Sequence, residues 1–252
     1  MRIICTDEST DENSEENTMP DNTTITWYGH ATWGITTPGG VHVLVDPWLS
    51  GNPKCPESAH DLSADVVLVT HGHGDHISDA VAVAQRGDAT TIAQYEVGGW
   101  LESQGAPNVI GMNTGGTVAT KGLRITMTQA FHSSSISPAD GAYGGDPIGY
   151  VIELESGQSI YIAGDTGVFG DMALIAEIYN PVIAILPIGD LFTMGPLQAA
   201  HAVRLLGVKH VLGSHWGTFD ALTGTPAGLR DEIANLGLEG VTVHELAPGE
   251  SL

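Results

Sequence analysis

The feature that most constrains this chain is the segment His71-Gly72-His73-Gly74-Asp75-His76, which places three imidazoles and one carboxylate within six residues. It directly follows the apolar run Val66-Val67-Leu68-Val69, which is short and β-branched and is typical of a buried strand. The two glycines let the backbone bend tightly, so that alternate side chains can converge. A helix is predicted from about His76, because apolar residues recur at helical spacing at Ile77, Ala80, Val81 and Ala84. The segment is therefore a loop of polar side chains held at the carboxyl end of a rigid strand.

The residue types in this loop suit a metal centre. His71 and His73 can share one ion through their ring nitrogens, whereas Asp75 and His76 point elsewhere and can begin a second site. Imidazole together with carboxylate suits zinc, iron, manganese or nickel. A polar turn with incidental histidines is the alternative, and the length and chemical coherence of the run disfavour it.

The motif resembles the signature of the metallo-β-lactamase-fold superfamily, in which His-x-His-x-Asp-His follows a hydrophobic strand. The likeness extends from about Ile25 to His244 and is greatest to metal-dependent hydrolases close to the L-ascorbate-6-phosphate lactonases. It is carried by the segments 27–30, 45–47, 130–134, 161–167, 187–196 and 214–219. The resemblance implies an αββα sandwich of two mixed β-sheets with external helices. The alternation of strands and helices alone supports only an α/β protein.

The resemblance also implies a complete ligand set. One ion is held by His71, His73 and His132, the other by Asp75, His76 and His215, and Asp165 is shared. Considered alone, His132 is more readily a structural histidine, and Asp165, in Gly-Asp-Thr-Gly, an Asx-turn residue. Asp46 is expected to orient a ligand imidazole, and His30 to lie beside the site without binding a metal. Met194 and its neighbour Thr193 are expected to line the pocket, while the residues that bind substrate stay unassigned.

These ligands predict a dinuclear hydrolase with two divalent ions, zinc being favoured and manganese, iron or nickel being alternatives. A water between the ions would have its pKa lowered toward about 7, and the resulting hydroxide would attack a small ester, lactone or related bond. Asp75 would take or deliver a proton as well as bind metal. Two alternatives stay open: a phosphodiesterase, and a mononuclear iron oxidoreductase of the persulfide-dioxygenase kind that uses only His71, His132 and Asp165.

The charge of the chain restricts its partners. Aspartate and glutamate number 30 against 8 lysines and arginines, a formal net charge of −22. Such a surface repels nucleic acid and anionic membranes, and no basic stripe is present. We therefore expect a small-molecule substrate as the partner, and the sequence is compatible with a homo-oligomer. The acidic, lysine-poor composition also predicts adaptation to high salt.

The ends of the chain carry the remaining predictions. Residues 1–22 are predicted to be a disordered acidic tail, with Met19 as an alternative start, and residues 23–252 a single hydrolase domain. Cys5 and Cys55 provide neither a disulfide framework nor a cysteine-based zinc site. No signal-peptide core or bilayer-spanning apolar run is evident, so we expect a cytoplasmic protein.

Overall fold

Two mixed β-sheets make up most of the fold. The computed structural model describes residues 19–20, 22–137 and 142–252. The first sheet has the order β1-β2-β3-β4-β5-β6, with the strands Thr24–Trp27, Trp33–Thr36, His42–Val45, Val66–Val69, Thr90–Gln94 and Val109–Met112. The second sheet contains β7 (Thr117–Thr120), β8 (Leu123–Gln129), β11 (Ile148–Glu153), β12 (Ser159–Ile162), β13 (Pro181–Pro187), β14 (His210–Ser214) and β15 (Thr242–His244). A separate two-stranded ribbon is formed by β9 (Ser135–Ser137) and β10 (Ala142–Tyr143).

The helices lie on the outer faces of the two sheets. They are α1 (Gly74–Ile77), α2 (Ala80–Gly87), α3 (Tyr95–Ser103), α4 (Met172–Tyr179), α5 (Pro196–Leu206) and α6 (Pro226–Asn235), with a short 3₁₀ turn at Glu57–Ala59. No helix in the described part of the chain is long and apolar enough to cross a membrane.

Each sheet combines an antiparallel half with a parallel half. In the first sheet β1, β2 and β3 form an antiparallel meander, and β3, β4, β5 and β6 run parallel. In the second sheet β7, β8, β11 and β12 are antiparallel, whereas β12, β13, β14 and β15 are parallel. All residues of β4 and β13 are buried, as expected for parallel strands covered on both faces.

Three apolar clusters define four packed layers. One lies between the sheets and contains Trp33, Leu68, Ile125 and Tyr150. A second packs the second sheet against α4, α5 and α6, and a third packs the first sheet against α2 and α3. Helix, sheet, sheet and helix therefore follow one another, which confirms the αββα sandwich that the family resemblance implies.

The helix predicted from about His76 is two helices. The backbone N–H of Asp79 donates to the carbonyl of Pro47 at 2.9 Å, and one oxygen of its carboxylate accepts hydrogen bonds from the backbone N–H groups of Leu49 and Ser50. Asp79 is therefore bound to the loop after β3, which separates α1 from α2. The apolar residues on both sides of the break still face the core, since Ile77, Ala80 and Ala84 are buried as expected.

Two of the last residues assigned to the predicted tail, Met19 and Pro20, belong to the folded domain. Residues 1–18 and 21 lie outside the described residues, so the predicted disorder is not described there. Met19, assigned to the tail by the sequence, packs against the cluster between the sheets. Pro20 is buried, and its carbonyl accepts a hydrogen bond from the backbone of Thr23 at 3.3 Å.

Candidate metal centre

The carboxyl ends of five strands bring the predicted ligands, and Asp46 behind them, together. Asp46 follows β3, His71 follows β4, His132 lies beyond β8, Asp165 lies beyond β12 and His215 follows β14. Parallel strands end at one edge of a sheet, where sites in α/β proteins commonly lie. A backbone hydrogen bond of 2.9 Å from His215 N to the His30 carbonyl joins the second sheet to the loop after β1.

One carboxylate oxygen is at the centre of the cluster. Oδ2 of Asp165 lies 3.1 Å from Nε2 of His215 and 3.2 Å from Nε2 of His76. The Nε2 atoms of His132 and His71 are 3.7 Å and 4.0 Å from the same oxygen. Asp165 is almost completely buried. A shared carboxylate between two metal ions needs this position.

Three histidines converge on one side of Asp165. Nε2 of His71 lies 2.9 Å from Nδ1 of His73, and the ring centroid of His132 is 5.1 Å from both other rings. Ligand nitrogens of these three residues lie within 4.8 Å of one another. Nδ1 of His71 is 3.0 Å from the hydroxyl of Thr70, which fixes the orientation of the ring. This group matches the predicted first ion.

Four residues converge on the other side. Ligand atoms of Asp75, His76 and His215, together with His30, lie within 4.8 Å of one another. Oδ2 of Asp75 lies 3.9 Å from Nε2 of both His76 and His215. It accepts a hydrogen bond of 3.0 Å from Nε2 of His30, whose Nδ1 lies 2.9 Å from the Thr218 hydroxyl. With both its nitrogens engaged in this way, His30 orients Asp75, and the expectation that it binds no metal stays a prediction.

Asp46 lies behind the ligands. Its Oδ2 accepts a hydrogen bond of 2.8 Å from Nδ1 of His76. The same carboxylate accepts hydrogen bonds of 2.7 Å from both the backbone N–H and the hydroxyl of Thr70. The hydrogen bond from Nδ1 of His76 to Asp46 leaves Nε2 of the same ring free to face Asp165. An outer carboxylate sets the tautomer and direction of a metal-binding imidazole in this way.

The backbone is constrained at three of these positions. His30, Asp46 and His215 have φ angles of 55°, 46° and 54°, in the left-handed region that residues other than glycine rarely occupy. The backbone of Gly189 packs directly against the carbonyl group of His215. Only glycine fits there, because a Cβ atom at this position would lie 1.8 Å from the His215 carbonyl oxygen. Such conformations persist only where the surrounding structure enforces them, and they are frequent at functional sites.

Burial and charge together set the protonation of the cluster. Burial lowers the pKa of His71, His73 and His132, which favours neutral imidazoles able to bind metal. Burial also disfavours the charged form of His76, but the carboxylates of Asp165 and Asp46 outweigh it and hold its pKa well above its usual value. For Asp165, burial is outweighed by His76 and His215, so the pKa of the carboxyl is held well below its usual range.

The donor set fits divalent metal ions. Nε2 of His76 is buried and makes no well-aligned hydrogen bond within the described residues, although it faces Asp165. An unpaired polar atom in the interior is costly, and coordination to an ion beside Asp165 would satisfy it. Imidazoles and carboxylates without thiolates are compatible with zinc, manganese, iron or nickel.

A cavity of about 730 Å³ opens beside these ligands. His132 is in its wall, and the other lining residues are Thr114, Gln129, Ala130, Phe131, Asp146 and Pro147. Thr193 is not among them, and Met194 is completely buried, so the expectation that Met194 lines the pocket is wrong. Its backbone N–H donates to the carbonyl of Thr166, which directs the side chain into the core beneath α5.

The sequence missed several supporting residues. Thr70 directly precedes the His71–His76 segment and Thr218 lies within a segment that carries the family resemblance, but a hydroxyl has too many ordinary roles to be singled out without the fold. The lining residues Thr114 and Asp146 lie in loops and carry no sequence signal. The seven predicted ligands are all within the cluster, and their roles as metal ligands stay predictions.

Comparison with known proteins identifies relatives along most of the chain. Residues 42–216 match the family model described as a β-lactamase superfamily domain. A UPF0173 metal-dependent hydrolase from Rubrobacter xylanophilus is 50% identical over 237 residues, covering 93% of this chain and 98% of that protein.

Solved structures show the same similarity. Igni18, a metallo hydrolase from the archaeon Ignicoccus hospitalis, is 33% identical with a TM-score of 0.80, and the match covers 91% of this chain and 97% of that one. An isothiocyanate hydrolase from Delia radicum gut bacteria is 25% identical with a TM-score of 0.70, covering 91% and 98% of the two chains.

Proposed function

The chain belongs to the metallo-β-lactamase superfamily, as one of its UPF0173 metal-dependent hydrolases, and from this premise we propose that it is a dinuclear enzyme that hydrolyses a small ester, lactone or related bond. The observation that carries the proposal is the position of Asp165 Oδ2, within 4.0 Å of Nε2 atoms from four histidines. A mononuclear site needs only part of this arrangement. The second set, in which His76 and His215 are buried and Asp75 reaches solvent, supports two ions.

We assign the proposed ligands to the two ions in the way that the family resemblance implies. His71, His73 and His132 would hold the first ion, Asp75, His76 and His215 the second, and Asp165 both. When bound, the pair would supply a water of lowered pKa and polarise the bond to be cleaved. We favour zinc, since both sets offer the imidazole nitrogens and carboxylate oxygens that zinc accepts.

The protein groups around the ions would position the reactants. Asp75 is the ligand carboxylate that reaches solvent, with 30% of its side chain exposed, and in this proposal it relays a proton between the site and solvent without retaining it. Burial opposes its ionisation, but the hydrogen bond from His30 and the charge of His76 outweigh burial and hold the Asp75 pKa well below its usual range. His30 thereby keeps Asp75 ionised, the form in which a carboxylate binds metal.

The cavity favours an uncharged substrate. Neither lysine nor arginine is among the described residues that line it, and Asp146 contributes a negative charge. A phosphate group would lack the basic side chains that usually bind it, which weighs against the phosphodiesterase alternative. An isothiocyanate, the substrate in the name of one structural relative, is also small and uncharged and belongs in the test panel.

Metal-resolved activity measurements test this proposal. Metal-free protein would be reconstituted separately with zinc, manganese, iron and nickel, and assayed against lactone, ester, phosphodiester, β-lactam, thioester and isothiocyanate panels. We expect two ions per chain and hydrolysis of esters or lactones. One iron per chain with oxygen consumption would instead support the oxidoreductase alternative and contradict the proposal.

A further inference from the structure

An apolar cleft continues from the cavity at the candidate metal centre. The cleft has a volume of about 180 Å³ and lies between β8 and α4. Its apolar walls include Met127, Leu174, Ile175 and Ile178. Thr114 and Gln129 line both the cleft and the cavity that contains His132. The two spaces therefore adjoin, and a molecule with its reactive group beside His132 could extend over α4.

The side chains of α4 at this cleft are exposed to an unusual degree. Leu174 is 50% exposed and Ile178 65% exposed, although an apolar side chain gains free energy when it is removed from water. Phe131, 62% exposed, continues this apolar surface into the cavity. Its ring packs edge-on against Phe169, with centroids 5.3 Å apart, so it is held as a wall of the cavity.

Charge selects the kind of molecule that can occupy this surface. No lysine or arginine is among the described residues that line either space, whereas Asp146 lines the cavity and Asp171 the cleft. Gln129 donates a hydrogen bond of 3.0 Å to Asp171, which ties the end of β8 to the start of α4 where the two spaces adjoin. The two aspartates would repel an anionic group here. An uncharged chain needs no basic side chain to bind and would not be repelled.

We propose that the cleft binds the apolar chain of a neutral ester or lactone whose carbonyl lies at the metal centre. This rests on the proposed function and gives its substrate class: an uncharged ester bearing an unbranched hydrocarbon chain. Hydrolysis breaks the acyl–oxygen bond and adds water across it, which yields an alcohol and a carboxylic acid that loses its proton to solvent to become a carboxylate.

A chain-length series tests the proposal. The substrates are p-nitrophenyl acetate, butyrate, hexanoate and octanoate, and the protein is the full chain reconstituted with zinc. Each fully buried methylene is worth up to about fourfold in affinity, so we expect kcat/KM to rise at least about tenfold from acetate to octanoate. The double variant Leu174→Gln/Ile178→Gln should lose most of this preference. Leu197→Gln, at a leucine on α5 that is 54% exposed and outside both linings, should leave the preference unchanged.

Binding of decan-1-ol separates this inference from the proposed function. Saturation-transfer NMR on metal-free protein should show contact between the alkyl chain and wild type or Leu197→Gln, and little contact with the double variant. Loss of decan-1-ol binding in the double variant would support the apolar site, whether or not any ester is hydrolysed. If that loss were seen and no ester were hydrolysed, the proposed function would fail while the apolar site would stand. Equal binding to all three proteins, or a flat chain-length series in an active enzyme, would overturn the inference.

Discussion

Asp46 and His76 form a buried pair in which the carboxylate fixes the direction of the imidazole. Nδ1 of His76 donates to Oδ2 of Asp46 at 2.8 Å, and both side chains are at most 2% exposed. The opposite nitrogen of the ring consequently faces Asp165 at 3.2 Å. The orientation of a proposed ligand is thus set by a residue that is not itself a ligand.

Replacing this carboxylate should weaken metal binding without removing a ligand. Asp46→Asn can no longer compensate the charge of His76 or accept all three of its hydrogen bonds, so we expect the second ion to bind about 10–100-fold more weakly. Titration of metal-free protein with zinc measures the effect. Asp65→Asn is the matched control, because the Asp65 carboxylate accepts a backbone hydrogen bond from His42 at the other end of β3. Equal losses in both variants would contradict the orienting role of Asp46.

Metal binding should release protons. The pKa of His76 in the metal-free protein is held well above its usual value, because Asp165 and Asp46 outweigh burial, so the ring is cationic at neutral pH. Coordination through Nε2 requires that proton to leave. Affinity should therefore rise with pH until His76 titrates, and calorimetry in buffers of different ionisation enthalpy should detect at least one proton released at pH 7. Affinity that is independent of pH between 6 and 8 would be inconsistent with this ligand.

The fold and the ligands were predictable to different degrees, for physical reasons. Strands buried on both faces, such as β4 and β13, are recognisable in the sequence as continuous apolar runs. The strands β6 and β7 have no clear apolar pattern in the sequence, because each lies at a sheet edge and is half-exposed. The break before α2 depends on hydrogen bonds that the Asp79 carboxylate accepts from the backbone of Leu49 and Ser50, 30 and 29 positions away, which no local pattern encodes.

The same distinction applies to the site. His71, His73, Asp75 and His76 are adjacent in sequence and signal a metal centre by themselves. His132, Asp165 and His215 required the family resemblance, since each follows its own strand. The role of Thr218 depends on a contact with His30 across 188 positions of the chain, and the cleft along α4 exists only once β8 and α4 are packed together.

Stability should increase with salt. The net charge of −22 leaves carboxylates that repel one another in the compact state, and the screening length falls from about 10 Å at 0.1 M salt to about 3 Å at 1 M. We expect a higher unfolding temperature in molar KCl than in dilute buffer at the same pH. Thermal unfolding followed by circular dichroism measures it, and a flat or falling trend would remove the predicted adaptation to high salt.

The chain should tolerate removal of the first 18 residues but not of Met19 and Pro20. A protein that begins at Met19 keeps the side chain packed between the sheets, so we expect nearly unchanged activity and melting temperature. A protein that begins at Thr23 loses that packing and should melt several degrees lower, because even partial exposure of core surface costs about 1 kcal/mol or more. Equal melting temperatures for the two truncations would show that Met19 contributes nothing.

The most direct test of the dinuclear centre is the metal content of Asp165→Asn, measured by mass spectrometry beside its hydrolysis rate. Asp165 is the only proposed ligand shared by both ions, so the variant should retain fewer ions per chain than any single histidine variant. His215→Ala should lose mainly the second ion and His132→Ala mainly the first, and turnover should fall by orders of magnitude in all three. Two ions per chain and a rate near that of wild type in Asp165→Asn would contradict the bridging role and the model of the active site built on it.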